Sequence, residues 1–164
     1  MSDYCVVVAS SGQARLYTLE PTELPEMESG PNLVEREKLS NEEQAAPTDE
    51  LWSEVKSSRN RAPNGGSHAY DDHRDRHLAE YERRFAADVA QATSALARKT
   101  GAKKVILVAH DRCLGLMRDA MRPAIHNGTR LLEVAKDLSK LSAIDIHAHL
   151  SREQVLPQRM MPSG

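Results

Sequence analysis

Several groups of residues in this chain carry types and spacings that could do chemistry. His73 and His77 stand four apart, with Asp71, Asp72 and Asp75 around them and His68 just upstream. On one face of a helix two imidazoles at that spacing can chelate a divalent metal, with a carboxylate or third imidazole completing the set. The run His73-Arg74-Asp75-Arg76-His77 lacks the Glu that a zinc protease places after its first His. A solvated helix start, with acidic residues favoured by the dipole, is the competing and preferred account, so neither a metal nor any other cofactor is expected. His110 and Asp111 follow an apolar run, and Arg112, Arg118 and Lys136 lie near in sequence. Asp111, Arg112, Arg118 and Lys136 could frame a pocket for an anionic group beyond the carboxyl end of a strand, helped by helix N-terminal amides. The competing account has Gly115 permitting close packing and Arg118 paired with a surface carboxylate. Cys113, at the same helix start, is either a thiol of lowered pKa or a small buried hydrophobe. Asp137 could cap the last helix, and Lys136 could pair with it. Arg59 and Arg61 precede Gly65-Gly66-Ser67-His68 in a polar stretch, where arginines could meet RNA phosphates. No Ser-His-Asp or Cys-His set can be argued from spacing, so no catalytic residue is assigned.

The elements that must position these groups are legible from periodicity. Tyr4 to Ala9 reads as a buried strand and Ala14 to Glu20 as an alternating one. Leu33 to Leu39 reads as a third strand, and the three form an antiparallel meander. Residues 40–73 read as a long loop whose apolar cluster is Leu51, Trp52 and Val55, with Trp52 pinning it to the body or to another subunit. Asp75 to Lys99 predicts a long helix on the stripe Leu78, Tyr81, Phe85, Val89, Ala92 and Leu96, stopped by Gly101. Val105 to Ala109 is a strand covered on both faces. Cys113, Leu116, Met117, Ala120 and Met121 mark a second helix, Leu131 to Ala135 a fifth strand, and Ser142 with Asp145 the start of a last helix. The expected fold is therefore α/β, with the order β-β-β-α-β-α-β-α in one domain over residues 1–155 and a frayed tail over 156–164.

Bulk properties narrow the function classes. The 164 residues carry a formal net charge of -2 and are 40% apolar. No apolar run approaches the ~20 residues of a membrane span, so no membrane partner is expected. The charge balance argues against wholesale DNA binding. With Asp3 where a signal peptide would be basic, and two cysteines read as free thiols, a cytoplasmic location is expected.

The pieces VVVASSGQARLYTL near the start, Phe85-Ala86, Val105 to Ala109, Leu114-Gly115-Leu116-Met117-Arg118 and Lys136-Asp137-Leu138-Ser139 occur in an order that resembles the bacterial host attachment protein family. That family is similar to the middle domain of archaeal and eukaryotic peptide-chain release factors. The resemblance implies a mixed five-stranded sheet of ribonuclease H-like type, with a functional loop just before the long helix. There the release factors carry Gly-Gly-Gln, whereas here Gly65-Gly66 is followed by Ser67, which speaks against the same hydrolysis. A ribonuclease H-type nuclease would need carboxylates converging on two metals. Asp3, Asp111 and Asp137 are the nearest, and Asp3 precedes its strand, so a nuclease is not expected. Two functions remain: a translation-linked protein contacting RNA or the ribosome through Arg59, Arg61, Gly65, Gly66, Ser67 and His68, or a protein-interaction module, acting alone or as a homodimer and affecting attachment indirectly. A hydrolase of small molecules using Asp111 is a further alternative.

Overall fold

The computed structural model describes residues 2–10, 12–41 and 67–161, with the backbone alone for 67–77. Strands β1 (Tyr4–Ala9), β2 (Gln13–Glu20) and β3 (Asn32–Ser40) come first. Helix α1 (Ser67–Thr100) follows, then β4 (Lys104–Ala109), α2 (Asp111–Ala124), β5 (Arg130–Ala135) and α3 (Ala143–Arg152). The sheet is mixed, in the order β3-β2-β1-β4-β5. Pairings β1–β2 and β2–β3 are antiparallel, while β1–β4 and β4–β5 are parallel. The expected meander and the mixed five-stranded α/β sheet are both present.

Period-two alternation sorts the strand side chains into two cores. Cys5, Val7, Ala9, Ala14, Leu16, Val105 and Leu107 face α1 and α2, where Phe85, Val89, Met117 and Met121 close over them. Val6, Val8, Tyr17, Leu19, Ile106, Val108 and Val134 face α3, closed by Ile146 and Leu150. Both faces of β1 and β4 are buried, which is why Val6-Val7-Val8 and Val105 to Val108 are unbroken apolar runs. A bulge between Leu16 and Tyr17 shifts the β2–β3 register and places Arg36 beside Thr18.

Three boundaries differ from expectation. First, α1 begins at Ser67, well before Asp75, so Ser67 to His73 belong to the helix and not to a loop. The charged stretch before Leu78 has no apolar stripe to announce it, yet it contains no Pro or Gly to stop the helix extending backward from its packed half. Gly101, at φ 72°, ends α1 as expected, with the Ala102 amide donating to the Ala97 carbonyl at 3.0 Å.

Second, the tail does not fray at Leu156. That residue is buried, Met160 pairs with Gly30 through two backbone hydrogen bonds, and Arg159 Nε donates to Asn32 Oδ1 at 2.7 Å. Backbone pairing and one buried leucine tie down a segment whose prolines suggested freedom.

Third, Ser142 alone caps α3, its Oγ accepting from the Asp145 amide at 3.2 Å. Asp137 closes a local turn instead. Its Oδ1 accepts from the Ser139 amide at 3.1 Å and the Ser139 hydroxyl at 2.6 Å.

Candidate functional site

Parallel pairing carries the carboxyl ends of β1, β4 and β5 to one edge, where Ala9, Ala109 and Ala135 stand in register. Ligands of open α/β sheets bind beyond such an edge. The residues placed there are His110, Asp111, Arg112 and Cys113 at the start of α2, and Lys136 to Leu141 after β5. Three of the amides at this helix start are already used. His110 Nδ1 accepts from the Arg112 amide at 3.3 Å, and its carbonyl takes the Cys113 and Leu114 amides, each at 2.9 Å. Asp111 and Arg112 are exposed.

The two remaining cations of the expected pocket are held apart. Arg118 Nη1 bonds Glu133 Oε1 at 3.0 Å on the side of the sheet covered by α1 and α2. Lys136 Nζ instead pairs with Glu153, the C-cap residue of α3, and holds that carboxyl below its ordinary range. Arg118 thus takes a surface carboxylate, and Lys136 does not pair with Asp137. Gly115 is not needed for close packing: an added Cβ would meet only the Arg118 guanidinium, at 3.6 Å. The Cys113 thiol is pushed up, not down. Burial is the main cause, Glu82 and Asp137 add to it, and Arg112 opposes it. Asp137 is held low by the two Ser139 hydrogen bonds, with His110 and Lys140 assisting.

Arg15 locks this edge. From β2 its Nη2 donates to the carbonyls of Ser139 at 2.6 Å and Leu141 at 3.0 Å, while its guanidinium lies 5.8 Å from the centre of the Tyr17 ring. One side chain thereby fixes the segment from Asp137 to the α3 cap.

At the opposite end of the sheet a groove of about 480 Å³ opens between β2–β3 and the last turns of α1. Its floor is Ala92, Ala95 and Leu96, and its rim carries Glu20, Arg36, Glu37 and Lys99. Glu20 Oε1 accepts from the hydroxyls of Ser2 and Thr18 and from Arg36 Nη2 at 3.0 Å. Burial pushes this carboxyl up, but the hydrogen bonds from Ser2, Thr18 and Arg36, with the Arg36 charge, outweigh it and hold Glu20 below its usual range. Glu37 and Lys99 are exposed on either wall. Beside the groove runs β3, at the edge of the sheet as described, with Glu35, Arg36, Glu37 and Lys38 exposed in succession. Charged side chains on an edge strand guard it against indiscriminate pairing.

None of the groove residues was read as a site residue in the sequence; Ala92 and Leu96 were read only as part of the apolar stripe of α1. The available signal was the run of four charges inside a strand, which marks an edge but not what lies beside it. Arg59, Arg61, Gly65, Gly66 and Trp52 lie outside the described residues. Ser67 and His68 are placed only as backbone in the first turn of α1, as are His73 and His77 further along it. Among the described residues no three His, Cys, Asp or Glu side chains converge as a metal set.

No curated protein matches the chain. A family described as "Protein required for attachment to host cells" matches residues 5–150, from the first strand into the last helix. With β2 to β5, α1, α2 and all of β1 but Tyr4 inside that match, this chain belongs to the host attachment family.

Proposed function

We propose that the chain serves attachment to host cells indirectly, as a cytoplasmic binding protein without a reaction of its own, taking an extended segment of a partner protein into the groove beside β3. The groove carries this reading. An edge strand with a groove alongside is the arrangement used for strand addition, where backbone pairing supplies affinity and side-chain pockets supply selectivity. A floor of Ala92, Ala95 and Leu96 accepts an apolar side chain, and the walls offer both signs of charge. The carboxyl edge supports the non-catalytic part: Arg118 and Lys136 are each held by a carboxylate, and Cys113 keeps its proton at neutral pH.

The test is complementation of a deletion strain of the source organism. Ala95 is exposed on α1, so Ala95→Arg fills the groove without touching the core. The expected result is normal protein level and melting temperature with attachment lost. Full restoration of attachment by Ala95→Arg would refute the groove reading.

The release-factor resemblance favours a second reading, with a ribonuclease H-like sheet presenting Arg59, Arg61, Gly65, Gly66, Ser67 and His68 to RNA or the ribosome. Sucrose-gradient sedimentation of tagged protein from native lysate separates the two. Co-migration with ribosomal particles that weakens with salt supports RNA contact. Migration as a free protein at both salt levels removes it.

A further inference from the structure

Strand β3 ends the described sheet on one side, and the order of its charges is self-complementary. Glu35, Arg36, Glu37 and Lys38 are exposed in succession, with half-buried Val34 before them and half-buried Leu39 after. Laid antiparallel to a copy of itself about the midpoint of Arg36 and Glu37, the strand sets Glu35 opposite Lys38 and Arg36 opposite Glu37, each twice by symmetry. Val34 then stands opposite Leu39. Each charge meets the opposite sign and apolar meets apolar, the cross-strand pairs that stabilise a sheet.

The bulge in β3 makes that register possible. Directly opposed residues of an antiparallel pair point to the same face. In a regular strand Val34 and Leu39, five apart, would point to opposite faces. Here Glu35 pairs with Tyr17 and Glu37 with Leu16, so Arg36 is the extra residue and the alternation slips by one. Val34 lies opposite Thr18 and Leu39 opposite Ala14. Those two β2 residues are four apart and so share one face, the face covered by α1. Glu35 and Lys38, opposite Tyr17 and Arg15, share the other face. A second β3 carries the same bulge at the same place. The two irregularities therefore meet at the dyad, and pairing resumes in register on both sides of it.

The charges are available for this pairing. Among the described residues Glu35, Glu37 and Lys38 form no ion pair. Arg36 already bonds Thr18 and Glu20 and would add only its field. Mixed charges and a bulge keep unrelated strands off an edge. A strand of complementary order with a matching bulge meets neither obstacle.

We propose that β3 is a homodimer interface, at which the β3 strands of two copies pair antiparallel about the Arg36–Glu37 midpoint and join the two sheets into one. Strand addition at this edge is also the premise of the groove reading; the inference rests on that premise and names a second copy as the occupant, while the groove floor at Ala95 takes no part.

The test is sedimentation equilibrium of the full chain over a range of concentrations, with variants at two exposed positions. The parent is expected to associate reversibly to a dimer. Glu35→Lys and Lys38→Glu each turn two attractive pairs into two repulsive ones, and each should weaken the dimer roughly tenfold, because exposed pairs contribute little individually. An equal mixture of the two variants sets opposite charges together again and should restore association, as should both changes carried in one chain. A parent that stays monomeric at every concentration would overturn the proposal. So would a dimer whose strength ignores both charge reversals, or weakening that neither the mixture nor the paired change restores. A monomeric parent alongside lost attachment in Ala95→Arg would remove the dimer and keep the groove reading. A charge-sensitive dimer alongside full attachment in Ala95→Arg would keep the dimer and remove the groove reading.

Discussion

Replacing Arg15 by Met tests whether one side chain holds the carboxyl edge together. The change keeps an apolar stem over Tyr17 and removes the Nη2 bonds to the Ser139 and Leu141 carbonyls. Hydrogen bonds to a charged donor contribute about 1.5–3 kcal/mol each when fully buried. Arg15 is only half-buried, so water can take over part of the work at both carbonyls, and about 2 kcal/mol for the pair is the reasonable figure. For a chain of this size that corresponds to a fall of about 4–8 °C in melting temperature. The loss should be local first. Amide exchange should quicken at Ile146 and Leu150 in α3, while Val89 in α1 keeps its protection until global unfolding. The Tyr17 hydroxyl gives an independent readout: burial raises its pKa and the Arg15 charge opposes that, so Arg15→Met should move the tyrosine titration further up. A melting temperature within about 1 °C of the parent, with unchanged exchange in α3, would mean that water serves the two carbonyls as well as Arg15 does, and the clamp would be refuted.

Gly115→Ala should stabilise the protein by about 0.5–1 kcal/mol in urea titration, because the residue is inside α2 and the new Cβ meets nothing closer than 3.6 Å. Glu20 is held low, so it stabilises the fold above the unfolded carboxyl value of 4.5, and that contribution is lost as pH falls through its lower folded value. Glu20→Gln should flatten the stability profile measured below pH 4.5. Burial raises the Cys5 thiol from 9.0 to about 12. Over that interval the unfolded chain gives up the proton while the fold keeps it, so stability should fall as pH rises past 9.0, and less steeply in Cys5→Ala. At neutral pH a thiol reagent should label neither Cys5 nor Cys113 quickly in the native protein and both at once in denaturant.

What could be read from the sequence follows from which interactions are local. Val105 to Val108 announces a strand because both its faces are buried, and Phe85, Val89 and Leu96 announce α1 because one face is. Ser142 and Gly101 act on their immediate neighbours, and both were legible. The first turns of α1 were not, since a helix segment without an apolar face leaves no periodicity. The expected anion pocket grouped Asp111, Arg112, Arg118 and Lys136 by closeness in sequence. The fold instead gives Arg118 to Glu133 and Lys136 to Glu153, partners set by the sheet and by the end of α3. His147 did leave a trace, a titratable residue inside the stripe Ile146–Leu150, but its contact with the Pro157 carbonyl, at 2.7 Å from Nε2, is one that sequence could not place.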